Sequence, residues 1–222
     1  MNAKSKINIF RKKLRNLLFK ISPFKKNKEN SFNLDITQVK KILISRPNHR
    51  LGNILLLTPI VQDLRNIFPN ATIDIVLKGN LGYAIFENYI QVGNIINLEK
   101  RPFDNLFNYF ISWTKIFNKT YDIAISAGKK SSSGNIAIML SNAKYKFYNI
   151  DNQILHLKER YFHNALNPVY NFRNVLLNTN DGVEFGADPK LKLNLREYET
   201  ENGSDILNKI FDNNKKTIGL FT

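Results

Sequence analysis

Short runs that are apolar at nearly every position alternate, from residue 41 onward, with longer stretches whose apolar residues recur every three or four positions. The first texture is that of a strand buried on both faces, the second that of a helix with one apolar stripe. Lys41–Ser45, Thr72–Leu77, Asn94–Leu98, Tyr121–Ser126 and Lys144–Asn149 are the predicted strands. Between them the pattern predicts helices from Asn53 to Phe68, near Tyr83–Tyr89, over Phe103–Phe117 and over Gly134–Leu140, then a long one covering Glu159–Leu177. Asn53 is the expected cap of the first helix, and Pro69-Asn70 its end. Strands alternating with helices in this order predict an α/β fold, a Rossmann-like parallel sheet with helices on both faces, because parallel neighbours need crossover connections. Trp113 and the many Phe and Tyr residues are most simply core.

This domain is expected over residues 40–180. Past Asn178 the chain becomes turn-rich, and Leu191, Leu193 and Leu195 alternate along what reads as a connector over 181–215, with a short helix at Glu201–Phe211. Lys216–Thr222 starts another strand in the style of the first. A buried-type strand with nothing after it gives the expectation that a second α/β domain is truncated here. The alternative is that this strand joins an edge of the first sheet.

Composition narrows the chemistry. The 222 residues are 43% hydrophobic and 23% charged, which suits a folded domain rather than a disordered chain. Without a cysteine, disulfides, iron–sulfur clusters, thiolate zinc sites and thiol nucleophiles are excluded. No apolar run approaches the roughly 18 residues of a membrane-spanning helix.

The net charge of +15 is concentrated at one end: residues 1–30 carry ten Lys and Arg against Glu29 alone, leaving +6 for the rest. Ile7, Phe10, Leu14, Leu17, Leu18 and Ile21 fall at helical steps within that segment, with the basic residues on its flanks and back, and Pro23 would stop the helix. A basic amphipathic helix suits an anionic membrane surface, each Lys or Arg being worth on the order of 1 kcal/mol there. Residues 4–28 are therefore the expected membrane contact. A disordered basic tail, a helix packed on the protein's own body and a nucleic-acid arm are the competing readings. Too few aromatics interleave with the basic residues for a strand-stacking surface, so nucleic acid is not the expected partner. The segment lacks the unbroken apolar core and cleavage site of a signal peptide, and export is not expected.

Ligands of open parallel sheets bind outside the carboxyl ends of the strands. The first loop there, Arg46-Pro47-Asn48-His49-Arg50-Leu51-Gly52-Asn53, is polar and basic and leads into a helix N-terminus, which favours anions. Arg46 and Arg50 supply charge, Gly52 allows close backbone approach, and His49 is the loop's imidazole, the side chain suited to moving a proton near neutrality. Neither a dinucleotide fingerprint nor a P-loop is present. The competing reading is a simple helix cap with solvated arginines. The second loop, Ser126 to Gly134, offers Lys129, Lys130 and Ser131 among small residues, and a flexible solvated loop reads equally well. His156 and His163 lack carboxylate or cysteine partners at ligand spacing, so no metal site is expected.

The stretch from Ile42 to Leu77 resembles the opening of the family 9 glycosyltransferases, the heptosyltransferases of lipopolysaccharide core assembly. Arg50-Leu51-Gly52-Asn53, Leu57-Thr58-Pro59 and Pro69-Asn70-Ala71-Thr72-Ile73-Asp74 fill that family's pattern, and Tyr121–Lys146 is similar to its Tyr-Asp strand, polar acceptor-side loop, helix and Ala-Lys turn. The resemblance implies the N-terminal domain of a GT-B fold, holding a lipid-linked saccharide acceptor. A nucleotide-sugar donor (ADP-heptose or similar) would bind the second domain. It implies inverting, metal-independent transfer without a cofactor, in the cytoplasm at the inner face of the membrane. Asn48 and Arg50 join Arg46, Gly52, Lys129, Lys130 and Ser131 as the implied acceptor contacts. The family's base is the Asp of Arg-Leu-Gly-Asp, and here Asn53 stands in its place. A neutral amide cannot take that proton, which leaves His49 as the candidate base. A non-catalytic, membrane-associated module binding an anionic glycolipid or phosphate ligand is the alternative function.

Overall fold

The computed structural model describes residues 34–99, 106–128, 131–148, 163–178 and 183–210. The basic segment 1–30, His156 and the strand expected at 216–222 lie outside the described residues. Strands β1 (Lys41–Ser45), β2 (Thr72–Lys78), β3 (Val92–Leu98), β4 (Thr120–Ser126) and β5 (Asn142–Phe147) form one parallel sheet in the order β3-β2-β1-β4-β5. The expected Rossmann-like α/β sheet with helices on both faces is what forms.

Helices α1 (Leu51–Leu55), α2 (Thr58–Ile67) and α3 (Leu81–Phe86) cover one face of the sheet, together with α6 (Asn167–Leu177). Ile42, Ile44, Ile73, Ile75 and Ile123 meet Ile60, Leu64, Val169 and Phe172 there. Phe172 stacks edge-on against Phe147 and tilts against Phe68, with ring centroids 5.5 and 6.1 Å away. The opposite face buries Leu43, Val76 and Ala124 under α4 (Leu106–Phe117) and α5 (Ser132–Leu140), where Trp113 is indeed core. Both faces of β1 are thus dry, which is why its sequence shows no polar alternation.

Several boundaries differ from the sequence expectation. The helix predicted from Asn53 to Phe68 is two helices, broken at Leu56-Leu57. Pro59 has no N–H to continue the ladder and sits in the first turn of α2, where none is needed. Asn53 does not cap: Arg50 holds the extended cap position of α1, and Asn53 falls inside the helix. Pro168 likewise occupies the first turn of α6, which starts at Asn167; of the helix predicted from Glu159, residues 159–162 lie outside the described residues. Helix α7 (Glu197–Ile210) begins four residues before its expected start.

The connector is tied to the first face. Gln62 Nε2 donates to the Lys190 carbonyl at 2.8 Å, Tyr89 Oη to that of Lys192 at 2.7 Å, and Arg196 Nε to Asn88 Oδ1 at 2.7 Å. Arg173 on α6 bridges the buried Asp63 of α2 and Asp188 of the connector.

At the amino ends of the strands lies a second buried carboxylate. Asp74 accepts hydrogen bonds from the Asn94 backbone and side-chain amides at 2.9 Å, and from Lys119 Nζ and Tyr121 Oη at 3.0 Å. Burial alone would raise its pKa, but these bonds and the Lys119 charge outweigh burial and hold the carboxyl below its ordinary value. Burial and the Asp74 charge push the Tyr121 phenol up, so it stays a donor. Asp122 accepts from the Lys40 and Lys41 amides at 2.8 and 2.9 Å, fastening β4 to the start of β1. The Asp and Tyr-Asp letters of the family-like motifs are thus framework.

Candidate functional site

From β1 the chain winds outward through β2 to β3, then crosses back to β4 on the other side of β1 and on to β5. The direction of winding reverses between β1 and β4, where the connecting helices leave on opposite faces, and open α/β sheets bind their ligands outside the carboxyl ends at such a point. Both predicted loops end up there. Ser45 and Ser126, the last residues of β1 and β4, are register partners, and the Ala127 amide donates to the Ser45 carbonyl at 3.0 Å.

Arg46 is the residue that ties the loops together. Its amide donates to the Val76 carbonyl at 3.0 Å, and its Nη1 donates to the Ala127 carbonyl at 3.2 Å. The side chain is half-buried, and among the described residues no carboxylate pairs with it. Burial pulls its guanidinium pKa below the ordinary value. A partly desolvated cation without a counter-charge is electrostatically unsatisfied, and an anionic ligand group would satisfy it.

Asn48 shapes the rest of the loop. Its Oδ1 accepts the Arg50 amide at 2.9 Å, its amide donates to the Arg46 carbonyl at 2.6 Å, and its carbonyl accepts the Lys78 amide at 3.2 Å. Asn53 Nδ2 reaches Asn48 Oδ1 at only 3.5 Å, a marginal contact. No side chain caps α1, and Asn48 instead shapes the turn that leads into it. His49, Arg50 and Gly52 are exposed beside it. A Cβ on Gly52 would meet nothing within 4 Å, so no crowding inside the chain requires a glycine there.

Ser131 caps α5, its Oγ accepting the Gly134 amide at 3.2 Å while its O–H remains able to donate to a ligand. The small residues of this loop serve packing: a Cβ on Gly134 would lie 3.0 Å from Ser131 Oγ and 3.3 Å from Pro47 Cδ. Lys129 and Lys130 lie outside the described residues. The sequence reading missed Asn135, which is buried and accepts from Ser126 Oγ at 2.7 Å, pinning α5 to β4. Its only signal was a polar side chain directly before the apolar run Ile136–Leu140. His163 Nδ1 accepts the Ala165 amide at 3.3 Å, a local turn contact. Among the described residues, no group of three or more His, Asp or Glu could hold a metal ion.

No protein-family model and no curated protein matches the chain. Among solved structures it is similar to the glycosyl transferase family 9 protein from Veillonella parvula DSM 2008, at 17% identity and a TM-score of 0.57, covering 80% of this chain and 51% of that one. Two structures of the E. coli heptosyltransferase WaaC, with ADP and with ADP-2-deoxy-2-fluoro heptose, match at 15% and 16% identity with TM-scores of 0.47 and 0.48. These cover 69% and 68% of this chain and 50% of theirs. The chain thus spans about half the length of the structures it matches. The likeness to the Veillonella structure is one of fold, and its family is the one whose motifs the sequence resembles.

Proposed function

We propose that this chain is the acceptor-binding part of a family 9 glycosyltransferase, heptosyltransferase-like, that moves a sugar from a nucleotide-sugar donor to a lipid-linked saccharide of the cell envelope. The observation that carries this reading is Arg46, half-buried at the switch point and lacking a carboxylate partner among the described residues. An acceptor bearing a phosphate or carboxylate would supply the missing charge, with Arg50 and Ser131 on the same two loops and Lys129 and Lys130 as the further cations the sequence offers.

Transfer in this reading is inverting and metal-independent. A base takes the proton of the acceptor hydroxyl as its oxygen attacks the anomeric carbon, and the bond from that carbon to the nucleotide phosphate breaks. His49, exposed on the same loop as Arg46, is the candidate base. With the donor-binding part present, His49→Ala is expected to lose at least about 100-fold in turnover at little cost in stability. ADP release from ADP-heptose, with acceptor lipid extracted from membranes, reads this out. Near wild-type turnover would remove His49 from the mechanism.

A second reading, a non-catalytic module binding an anionic glycolipid or phosphate, is favoured by Asn53, which stands where the family pattern has a carboxylate. Binding of the acceptor lipid without ADP release, whatever donor is offered, would select it.

Either way the chain works in the cytoplasm against the inner leaflet, held there by residues 4–28. Among the described residues no helix is long and apolar enough to cross a membrane. Deleting residues 1–30 is expected to abolish salt-sensitive co-sedimentation with anionic vesicles. Unchanged sedimentation would rule out the anchor.

A further inference from the structure

Arg46 is held from two sides. Its amide donates to the Val76 carbonyl of β2 at 3.0 Å, and its guanidinium donates to the Ala127 carbonyl at 3.2 Å. The first hold belongs to the sheet. The second belongs to a loop, because Ala127 is the first residue after β4, on the way to α5.

Side-chain and backbone bonds shape that loop. Ser126 Oγ donates to Asn135 Oδ1 at 2.7 Å, which closes residues 127–134 at their base. Inside the closure the Ser131 amide donates to the Gly128 carbonyl at 3.2 Å, and the Asn135 amide to the Ser131 carbonyl at 2.9 Å. There is little slack. A Cβ on Gly128 would lie 2.8 Å from Ser131 Cβ and 4.0 Å from Arg46 Cγ, so the loop backbone runs against the arginine stem.

Asn135 is only 3% exposed, so its effect on a ligand must pass through Ser126 and the loop. Burying an amide and a hydroxyl where apolar groups could pack carries a desolvation cost. In return, the bond between them fixes a direction that apolar contact would leave free. The orientation of the Ala127 carbonyl is thereby set, and with it the pose of Arg46. An arginine already held in one pose loses less conformational freedom when an anion binds.

We infer that Asn135 and Ser126 are positioning residues for anion binding at Arg46, acting through the Ala127 carbonyl. The inference rests on the reading of Arg46 as the anion site.

Titration of the full chain with inorganic phosphate, followed through the amides of residues 46–53 by NMR, tests it. Ser126→Val and Asn135→Leu are each expected to weaken phosphate binding about fivefold. Ser126→Thr, which matches valine in shape but keeps the hydroxyl, should stay within about twofold of wild type. Because the two side chains act as one unit, the double variant Ser126→Val/Asn135→Leu should bind no more weakly than either single variant. Losses that multiply would mean that Ser126 touches the anion directly, and would overturn the inference. So would an unchanged affinity in Ser126→Val. Ser126 is half-buried at the strand end, so its Val and Thr variants keep the test alive if Asn135→Leu does not fold. On an Arg46→Ala background, Ser126→Val should cause no further loss, and a further fivefold loss would also overturn the inference. Phosphate affinity unchanged in Arg46→Ala itself would instead remove the anion site, so the two failures are distinct.

Discussion

The two ends of the same parallel strands treat charge in opposite ways. At the amino ends, Asp74 is fully buried and accepts four hydrogen bonds, one of them from the Lys119 ammonium. At the carboxyl ends, Arg46 is half-buried and, among the described residues, has one backbone carbonyl for a guanidinium that can donate five hydrogen bonds. A charge that the chain satisfies completely is framework, and one left open beside exposed loop residues is available to a ligand. The contrast separates the family-like motifs: the Asp74 and Tyr121-Asp122 letters hold strands, while the Arg46–Asn53 stretch lies at the switch point with His49, Arg50 and Gly52 exposed.

The largest effect expected from breaking this contrast is at Asp74. Asp74→Ala leaves Lys119, Tyr121 and the Asn94 amides without their acceptor, and is expected to destabilise the domain by about 3–5 kcal/mol in denaturant unfolding. The pH dependence has a definite sign. The folded carboxyl is held below its ordinary 3.8, so ionised Asp74 stabilises the fold at every pH above that value. This stability is lost as pH falls from 3.8 through the folded pKa. In Asp74→Asn that part of the acid-unfolding slope should disappear. An unchanged slope would mean the cluster is not what the geometry implies.

Arg46→Ala should show the opposite balance. It removes one hydrogen bond but also an uncompensated, partly desolvated charge, so stability should move by less than about 1 kcal/mol. Affinity for inorganic phosphate, followed through the loop amides, should fall about tenfold or more. If Arg46→Ala destabilised as much as Asp74→Ala while phosphate binding persisted, Arg46 would be framework too.

The sheet was legible in the sequence because all its strands are short and most are buried on both faces, so an apolar run is a sufficient sign. The two loops were legible as polar breaks directly after β1 and β4. Their meeting was not, since it depends on the order β3-β2-β1-β4-β5, which brings residues 46 and 127 together across some eighty intervening positions. Local roles were harder still. The glycine and serines after β4 suggested room for a ligand, yet the space beside Gly134 is occupied by Pro47 and Ser131. Asn53 looked like a cap by position, but the helix already starts at Leu51, and the bond that shapes its entry is made by Asn48.

Asn48 gives the smallest and most discriminating test, because there the shape of the loop and its charge can be changed separately. Its Oδ1 accepts the Arg50 amide at the entry to α1. Asn48→Ala loses that bond and should cost about 1 kcal/mol of stability. Phosphate affinity should fall several-fold as well, because the Arg50 backbone is no longer held. Asn48→Asp keeps an acceptor in the same place, so stability should recover to near wild type. Its added negative charge opposes an anion, so phosphate affinity should stay low or fall further. Recovery of both stability and phosphate affinity in Asn48→Asp would mean that charge at this loop does not govern binding. The contrast between the two ends of the sheet would then rest on packing alone.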